Sequence, residues 1–129
     1  MKKSLVLALC LMSSSVFAFI NEVECTAKQN NKEIFFEIEQ PFPTGSVFKR
    51  ALLTVTEDGA DKEFNYTVTS RRSMGFNSIT YTGGGIHLDV DMWPDSTPRW
   101  GRNYRATLRS SDLQNANLSN VECNFPNAF

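Results

Sequence analysis

The chain has 129 residues, with 14 acidic and 13 basic side chains and a formal net charge of −1. This length is typical of one domain with a single core, and the balanced charge argues against nucleic-acid binding through a general basic surface. Beyond the N-terminal segment, no stretch approaches the ~18 apolar residues that a membrane-spanning helix needs.

The N-terminus has the pattern of a bacterial secretory signal peptide. A short basic start precedes an apolar run over residues 5–12, and small residues lead to a cleavage site at Ala18. We expect cleavage after Ala18 and one exported domain over residues 19–129, periplasmic or extracellular. Without Lys2 and Lys3 the mature chain keeps 11 bases against 14 acids, a net charge near −3.

The cysteines indicate one disulfide. Cys10 lies in the apolar run and leaves with the signal peptide, so the mature chain keeps Cys25 and Cys123. An even pair in an exported protein predicts a disulfide, here between the first and last strands. The alternative is two separate buried thiols.

Alternation of apolar and polar residues with a period of two predicts short strands along almost the whole mature chain. In chain order, the predicted strands are centred on residues 23–28, 34–39, 51–56, 64–69, 79–82, 86–92, 104–109 and 121–125. The pattern predicts an antiparallel all-β domain of about eight strands. Either a β-sandwich or a small β-barrel fits, and a bond between the first and last strands would protect the sheet edges.

The segments between the strands differ in character. Asn30-Asn31, residues 57–62 and Gly83-Gly84-Gly85 are predicted turns. Residues 40–48 and 93–102 are predicted loops that contain proline. Residues 110–120 are predicted to form a polar loop with at most one short helical turn, anchored by Leu113 and Leu118.

His87, Asp89 and Asp91 share the polar face of one predicted strand. A histidine beside carboxylates can bind a divalent metal or act as a general base, and these three are weak candidates for a metal site. The alternative is cross-strand pairing with arginines. A hairpin with Asp91 opposite Arg105 would also set His87 opposite Arg109, and a shift of two residues would set Asp89 opposite Arg105.

The loop over residues 93–102 is the candidate binding site. It holds both tryptophans, Trp93 and Trp100, together with Arg99 and Arg102. Prolines stiffen such a loop, and tryptophan and arginine are the residues most often found at binding hot spots. An exposed indole also suits a sugar ring, and the arginines suit an anionic group. The alternative is that the indoles cap an open end of the β core.

Residues 40–48 form a second loop, in which Phe42 and Phe48 flank two prolines and a glycine. It would lie beside the tryptophan-containing loop if both occupy the same end of the domain. The alternative is a connection that covers the core.

These features favour an exported, non-enzymatic binding or structural module that holds polysaccharide or peptidoglycan through Trp93–Arg102. The alternative is a secreted inhibitor of a hydrolase, either a protease or a lysozyme. A small hydrolase is less favoured; it would use His87 or a carboxylate pair drawn from Glu33, Glu37, Glu39, Asp89 and Asp91. We assign no catalytic residue and expect no cofactor, no nucleic-acid partner and no transmembrane segment, and the oligomeric state stays open.

Overall fold

The computed structural model describes residues 18–42, 47–75, 77–113 and 117–128. The predicted signal peptide, apart from Ala18, lies outside the described residues. No helix within these ranges is long and apolar enough to cross a membrane.

The described chain forms eight antiparallel strands in simple meander order. The strands are β1 (Ala18–Gln29), β2 (Lys32–Phe42), β3 (Lys49–Glu57), β4 (Ala60–Arg72), β5 (Ser78–Gly83), β6 (Ile86–Asp91), β7 (Asn103–Ser110) and β8 (Asn117–Asn124). Each strand pairs with the next, and β8 pairs with β1 to close a barrel. The predicted all-β fold is confirmed, and of the two closures left open by the sequence the chain adopts the barrel.

The barrel interior is a packed core. Along β7 every second side chain is buried, and the same alternation on the other strands points apolar residues inward. Leu53, Tyr81 and Leu88, for example, have no exposed surface. An eight-stranded barrel is just wide enough for such side chains to fill it. Burial of each large apolar side chain contributes ~1.5–3 kcal/mol to stability.

The β1–β8 ladder has the fewest paired residues of any ladder in the described barrel, and a disulfide crosses it. Only three residue pairs join these strands within the described chain, and Cys25 lies opposite Cys123 at the middle pair. Their sulfur atoms are bonded at 2.06 Å, which confirms the predicted disulfide. The two cysteines are 98 residues apart in sequence. On the chain-entropy account, a closed loop of this size stabilises the fold by about 4–5 kcal/mol.

The two ends of the barrel have different connections. At the hairpin end, β1–β2, β3–β4 and β5–β6 are joined by residues 30–31, 58–59 and 84–85. Asn30, Asp58 and Gly59 have positive φ, as tight hairpin turns between twisted strands require. At the loop end lie the β2–β3, β4–β5 and β6–β7 connections and the C-terminal residues 125–128.

Several predicted boundaries were wrong. The turn predicted over residues 57–62 is confined to residues 58–59, since β3 ends at Glu57 and β4 begins at Ala60. Strand β2 continues to Phe42, into the segment predicted to be a loop, with Pro41 opposite Phe19 of β1. The β2–β3 ladder ends at Glu39, so Pro41 has one neighbouring strand and its missing N–H interrupts no central ladder.

Strand β8 begins at Asn117, within the predicted polar loop, and Leu118 is buried. A register shift opposite Ala106–Leu108 leaves two successive exposed residues, Ser119 and Asn120, and so interrupts the period-two pattern. The predicted helical turn falls partly on residues 114–116, which lie outside the described residues, and residues 111–113 form a turn and a bend.

Candidate binding site

The outward face of β6 carries the histidine and the two aspartates. Strand β7 pairs with it in the first of the two predicted registers, with Asp91 opposite Arg105 and His87 opposite Arg109. Asp89 accepts a hydrogen bond of 3.2 Å from the Thr80 hydroxyl on β5. In the described ranges, no three histidine, cysteine, aspartate or glutamate side chains come together in a way that could hold a metal ion.

The two indoles do not cap the core. Trp93 is 73% exposed and Trp100 is 72% exposed. Met92 and Phe125 are buried at this end of the barrel instead, and Phe125 packs edge-on against Tyr104 with ring centres 5.9 Å apart. Because other side chains fill the end of the core, the indoles are left facing solvent.

Asp95 braces the loop from within. Its carboxylate accepts hydrogen bonds from the Tyr104 hydroxyl at 2.8 Å and from Arg102 Nη1 at 3.0 Å. The Tyr104 hydrogen bond and the Arg102 guanidinium together hold the pKa of Asp95 below its ordinary value. Arg99 Nε lies 3.8 Å from the same carboxylate. A carboxylate that stays charged therefore orients both arginines of the loop.

Further hydrogen bonds tie the loop to neighbouring strands. Asp91 accepts the Trp93 N–H at 3.0 Å, and the Ser96 carbonyl accepts Arg72 Nη1 from the end of β4 at 2.6 Å. The Arg99 N–H donates to the Tyr104 hydroxyl at 3.0 Å. A loop held at several points has little conformational entropy left to lose if a ligand binds to it.

Trp93 lines an open groove on the barrel wall with a volume of about 560 Å³. Asp89, Asp91, Arg105 and Asn77 also line it. The groove therefore joins two features that the sequence presents separately, namely the polar face of β6 and the start of the tryptophan-containing loop.

The other three predicted binding residues belong to a separate part of the loop. Arg99, Trp100 and Arg102 lie in the Arg99–Arg102 turn, where the Arg102 N–H donates to the Arg99 carbonyl at 3.4 Å. Their side chains are exposed, Arg99 to 66% and Arg102 to 48%. The loop thus has a groove side, with Trp93, and an exposed turn, with Trp100.

A polar cluster at the loop end was missed by the sequence reasoning. Glu22 Oε1 lies 2.6 Å from Lys49 Nζ, and its second oxygen accepts a hydrogen bond from the Tyr81 hydroxyl. Burial, and then the Glu22 charge, raise the pKa of Tyr81 well above its ordinary value. The sequence held one signal for this cluster. Lys49 lies two residues before the inward-facing Ala51, so its side chain leaves the strand on the same face.

Beside this cluster, a pocket of about 410 Å³ lies at the mouth of the barrel. Ile20, Ile79, Pro98 and Phe125 give it a largely apolar lining, and Arg72 adds a charge. The carboxylate of the polar cluster is already paired with Lys49 and a tyrosine hydroxyl. The cluster therefore joins β1, β3 and β5 at this end of the barrel.

Comparisons with known proteins do not identify a family. No protein-family model matches the chain, and neither curated proteins nor solved structures give a significant match.

Proposed function

We propose that this protein is a non-enzymatic binding module that holds a glycan in the groove beside Trp93. The observation that carries the proposal is an exposed indole next to Asp89, Asp91 and Arg105 in an open groove. For a protein exported by its predicted signal peptide, cell-wall or surface polysaccharide is the glycan we expect.

The chemistry of the groove suits a sugar. One face of a pyranose ring is largely C–H and packs against an indole, whereas its edges carry hydroxyl groups. Carboxylates accept hydrogen bonds from those hydroxyls, and the Asn77 amide can both donate and accept. Arg105 adds a planar donor for a carboxylate or phosphate on the same glycan.

The groove lacks a buried carboxyl group, because Asp89 and Asp91 are both exposed. The general acid of a glycosidase is held protonated by an apolar environment. The groove is also open to water. We therefore expect binding without turnover.

The test compares two arginines of β7 and one tryptophan. Binding of the domain to peptidoglycan and to purified polysaccharides is measured by pull-down and calorimetry. Trp93→Ala should weaken binding by at least about tenfold, because an aromatic anchor carries much of the binding energy at such sites. Arg105→Gln should weaken it less. Arg109→Gln makes the same change of charge outside the groove and should bind as the parent does. If Trp93→Ala binds glycan as tightly as the parent, or if the parent binds no glycan, the groove is rejected as the site.

A second function is favoured by a different observation, the bracing of the Arg99–Arg102 turn by Asp95. A rigid exposed loop can occupy the cleft of a hydrolase with little loss of entropy. A secreted inhibitor of a lysozyme or protease would then present Arg99 and Trp100 to the enzyme. A panel of such enzymes, assayed with stoichiometric protein, should reveal one whose activity falls, and Trp100→Ala should restore that activity. Full activity across the panel counts against this function.

A further inference from the structure

Large exposed apolar side chains are concentrated at one end of the barrel. Among the described residues they are Phe19 (42% exposed), Val47 (69%), Phe48 (57%), Met74 (98%), Trp93 (73%) and Trp100 (72%). All six lie at the loop end, at the start of β1 or in one of the three long connections. We call this set the apolar rim.

The segments that carry the apolar rim adjoin one another at the barrel end. Arg72, just before the β4–β5 connection, donates to Ser96 of the tryptophan-containing loop at 2.6 Å. Asn77 of the same connection donates to the Asp95 carbonyl at 3.0 Å. Across the mouth of the barrel, one pocket brings together Ile20 of β1, Arg72 and Pro98. These contacts link the start of β1, the β4–β5 connection and the tryptophan-containing loop. Lys49, the residue after Phe48, joins the β2–β3 connection to β1 through Glu22.

Charge is also distributed unevenly along the barrel axis. The loop end carries the bases Lys49, Arg50, Arg71, Arg72, Arg99 and Arg102. Its acids are engaged, for example Glu39 with Arg50 and Asp95 with Arg102. Within the described chain, Arg71 and Arg72 form no ion pair. The hairpin end has an excess of two acids, since Glu33, Glu57, Asp58, Asp61, Glu63 and Asp112 stand against Lys28, Lys32, Lys62 and Arg109.

We propose that the apolar rim docks on the surface of a bilayer that contains anionic phospholipid, without crossing it. Tryptophan is enriched where membranes meet water, since its ring is apolar and its N–H needs a polar partner. Arginine pairs with headgroup phosphates, and the acidic hairpin end would face away. Apolar residues spaced around a barrel end fit a flat, deformable surface, whereas the concave groove on the barrel wall, which shares Trp93 with the apolar rim, fits a glycan chain.

Arg71 and Met74 provide the most direct test. Both side chains are exposed and neither lines the Trp93 groove, so their replacement leaves the core and the glycan site intact. The chain from Phe19 holds nearly the whole barrel and lacks the apolar leader, which would bind lipid by itself. It is sedimented with vesicles of phosphatidylcholine alone or with one part phosphatidylglycerol to two parts phosphatidylcholine.

We expect binding to the anionic vesicles, a blue shift of tryptophan emission and little binding to phosphatidylcholine. Arg71→Gln should lower the partition coefficient about fivefold, the value for one basic residue near an anionic surface. Met74→Ser should lower it too, because partition scales with buried apolar area. Lys62→Gln at the hairpin end makes the same charge change and should bind as the parent does.

Three results would overturn the proposal. They are no binding to anionic vesicles, equal binding to both kinds of vesicle, and anionic binding that neither Arg71→Gln nor Met74→Ser reduces. If this protein inhibits a hydrolase and does not bind vesicles, the apolar rim is assigned to a protein partner instead. Glycan binding that depends on Trp93 is measured separately, so either proposal can fail alone.

Discussion

The two ends of the barrel are built differently. Three of the hairpin-end connections are two residues long, and no large exposed apolar side chain of the described residues lies there. The loop end has long connections, both tryptophans and most of the arginines. Short turns keep the strands in register, whereas long loops carry side chains that the barrel does not need. The difference fits our proposal, in which the hairpin end serves folding and the loop end serves recognition.

The closure of each end supports this division. At the hairpin end, Leu113 is buried, and the Tyr66 hydroxyl contacts Ser110 at 3.1 Å and donates to Asp112. At the loop end, Met92 and Phe125 are buried while the neighbouring indoles are exposed. An indole that fills no space in the core contributes little to stability, and its exposure agrees with the binding role that we propose for the loop end.

The largest expected effect concerns the β1–β8 ladder that both ends share. Replacing Cys25 and Cys123 by alanine should lower the free energy of unfolding by about 4 kcal/mol, because the unfolded chain loses its long closed loop. Urea unfolding of the double variant, with reduced parent protein as the control, measures this. A loss below about 1 kcal/mol would show that the short β1–β8 ladder closes the barrel without help.

The sharpest comparison of the two ends uses one truncation at each. Leu113→Ala at the hairpin end should lower the free energy of unfolding by about 2–4 kcal/mol, because removal of this buried side chain leaves a cavity. Trp100→Ala at the loop end should change it by less than about 0.5 kcal/mol, as surface substitutions usually do. Thermal or urea unfolding of both variants tests the pair. Similar losses in both would end the proposed division of roles.

High pH should weaken the hairpin end through Tyr66. Burial, and then the hydrogen bond to Asp112, raise the pKa of Tyr66 from 10.0 to about 12. The folded state therefore holds the phenol proton more tightly than the unfolded state. This contribution to stability is complete below the unfolded pKa near 10 and is lost as the pH rises towards the folded value.

Urea unfolding between pH 10 and 12, with tyrosinate absorbance followed in parallel, measures this loss. Tyr66→Phe should make the decline of stability with pH shallower. Some decline should remain, since the pKa values of Tyr81 and Tyr104 are also raised, in both cases first by burial. An unchanged decline in Tyr66→Phe would contradict the assignment.

The smallest expected effect is local to the loop end. Asp95→Asn removes the charge that orients Arg99 and Arg102 while it keeps the size of the side chain. The Arg99 amide, which donates to the Tyr104 hydroxyl, should then exchange its hydrogen faster. Hydrogen exchange at the hairpin-end turns is the internal control. Equal exchange at Arg99 in parent and variant would show that Asp95 is not the brace.

Much of the fold was predictable because its signals are local. Alternation in Ala51–Val55 or in Tyr104–Leu108 reports directly which side chains face inward. Asn30 and the glycines around Gly84 mark turns that need positive φ. The interruption at Ser119–Asn120 hides the start of β8, since a bulge breaks the alternation that reveals a strand.

The candidate site was predictable only in part. Trp93 and Trp100 stand out by composition, but their exposure depends on Met92 and Phe125, which fill the end of the core. The pairing of Glu22 with Lys49 joins strands that are distant in sequence and was not foreseen. A side chain's environment is set by neighbours from other strands, which one strand's pattern does not contain.

The sequence by itself determined the strand content, because a period of two is a property of each segment alone. It also indicated the Cys25–Cys123 pair, since no other cysteine remains after the predicted cleavage. Only the tertiary structure decided between sandwich and barrel, which depends on whether β8 can reach β1. The same closure gathered the exposed apolar residues and arginines at one end and set Trp93 beside Asp89. Those neighbours come from the register and connections of the whole sheet, which no single segment encodes.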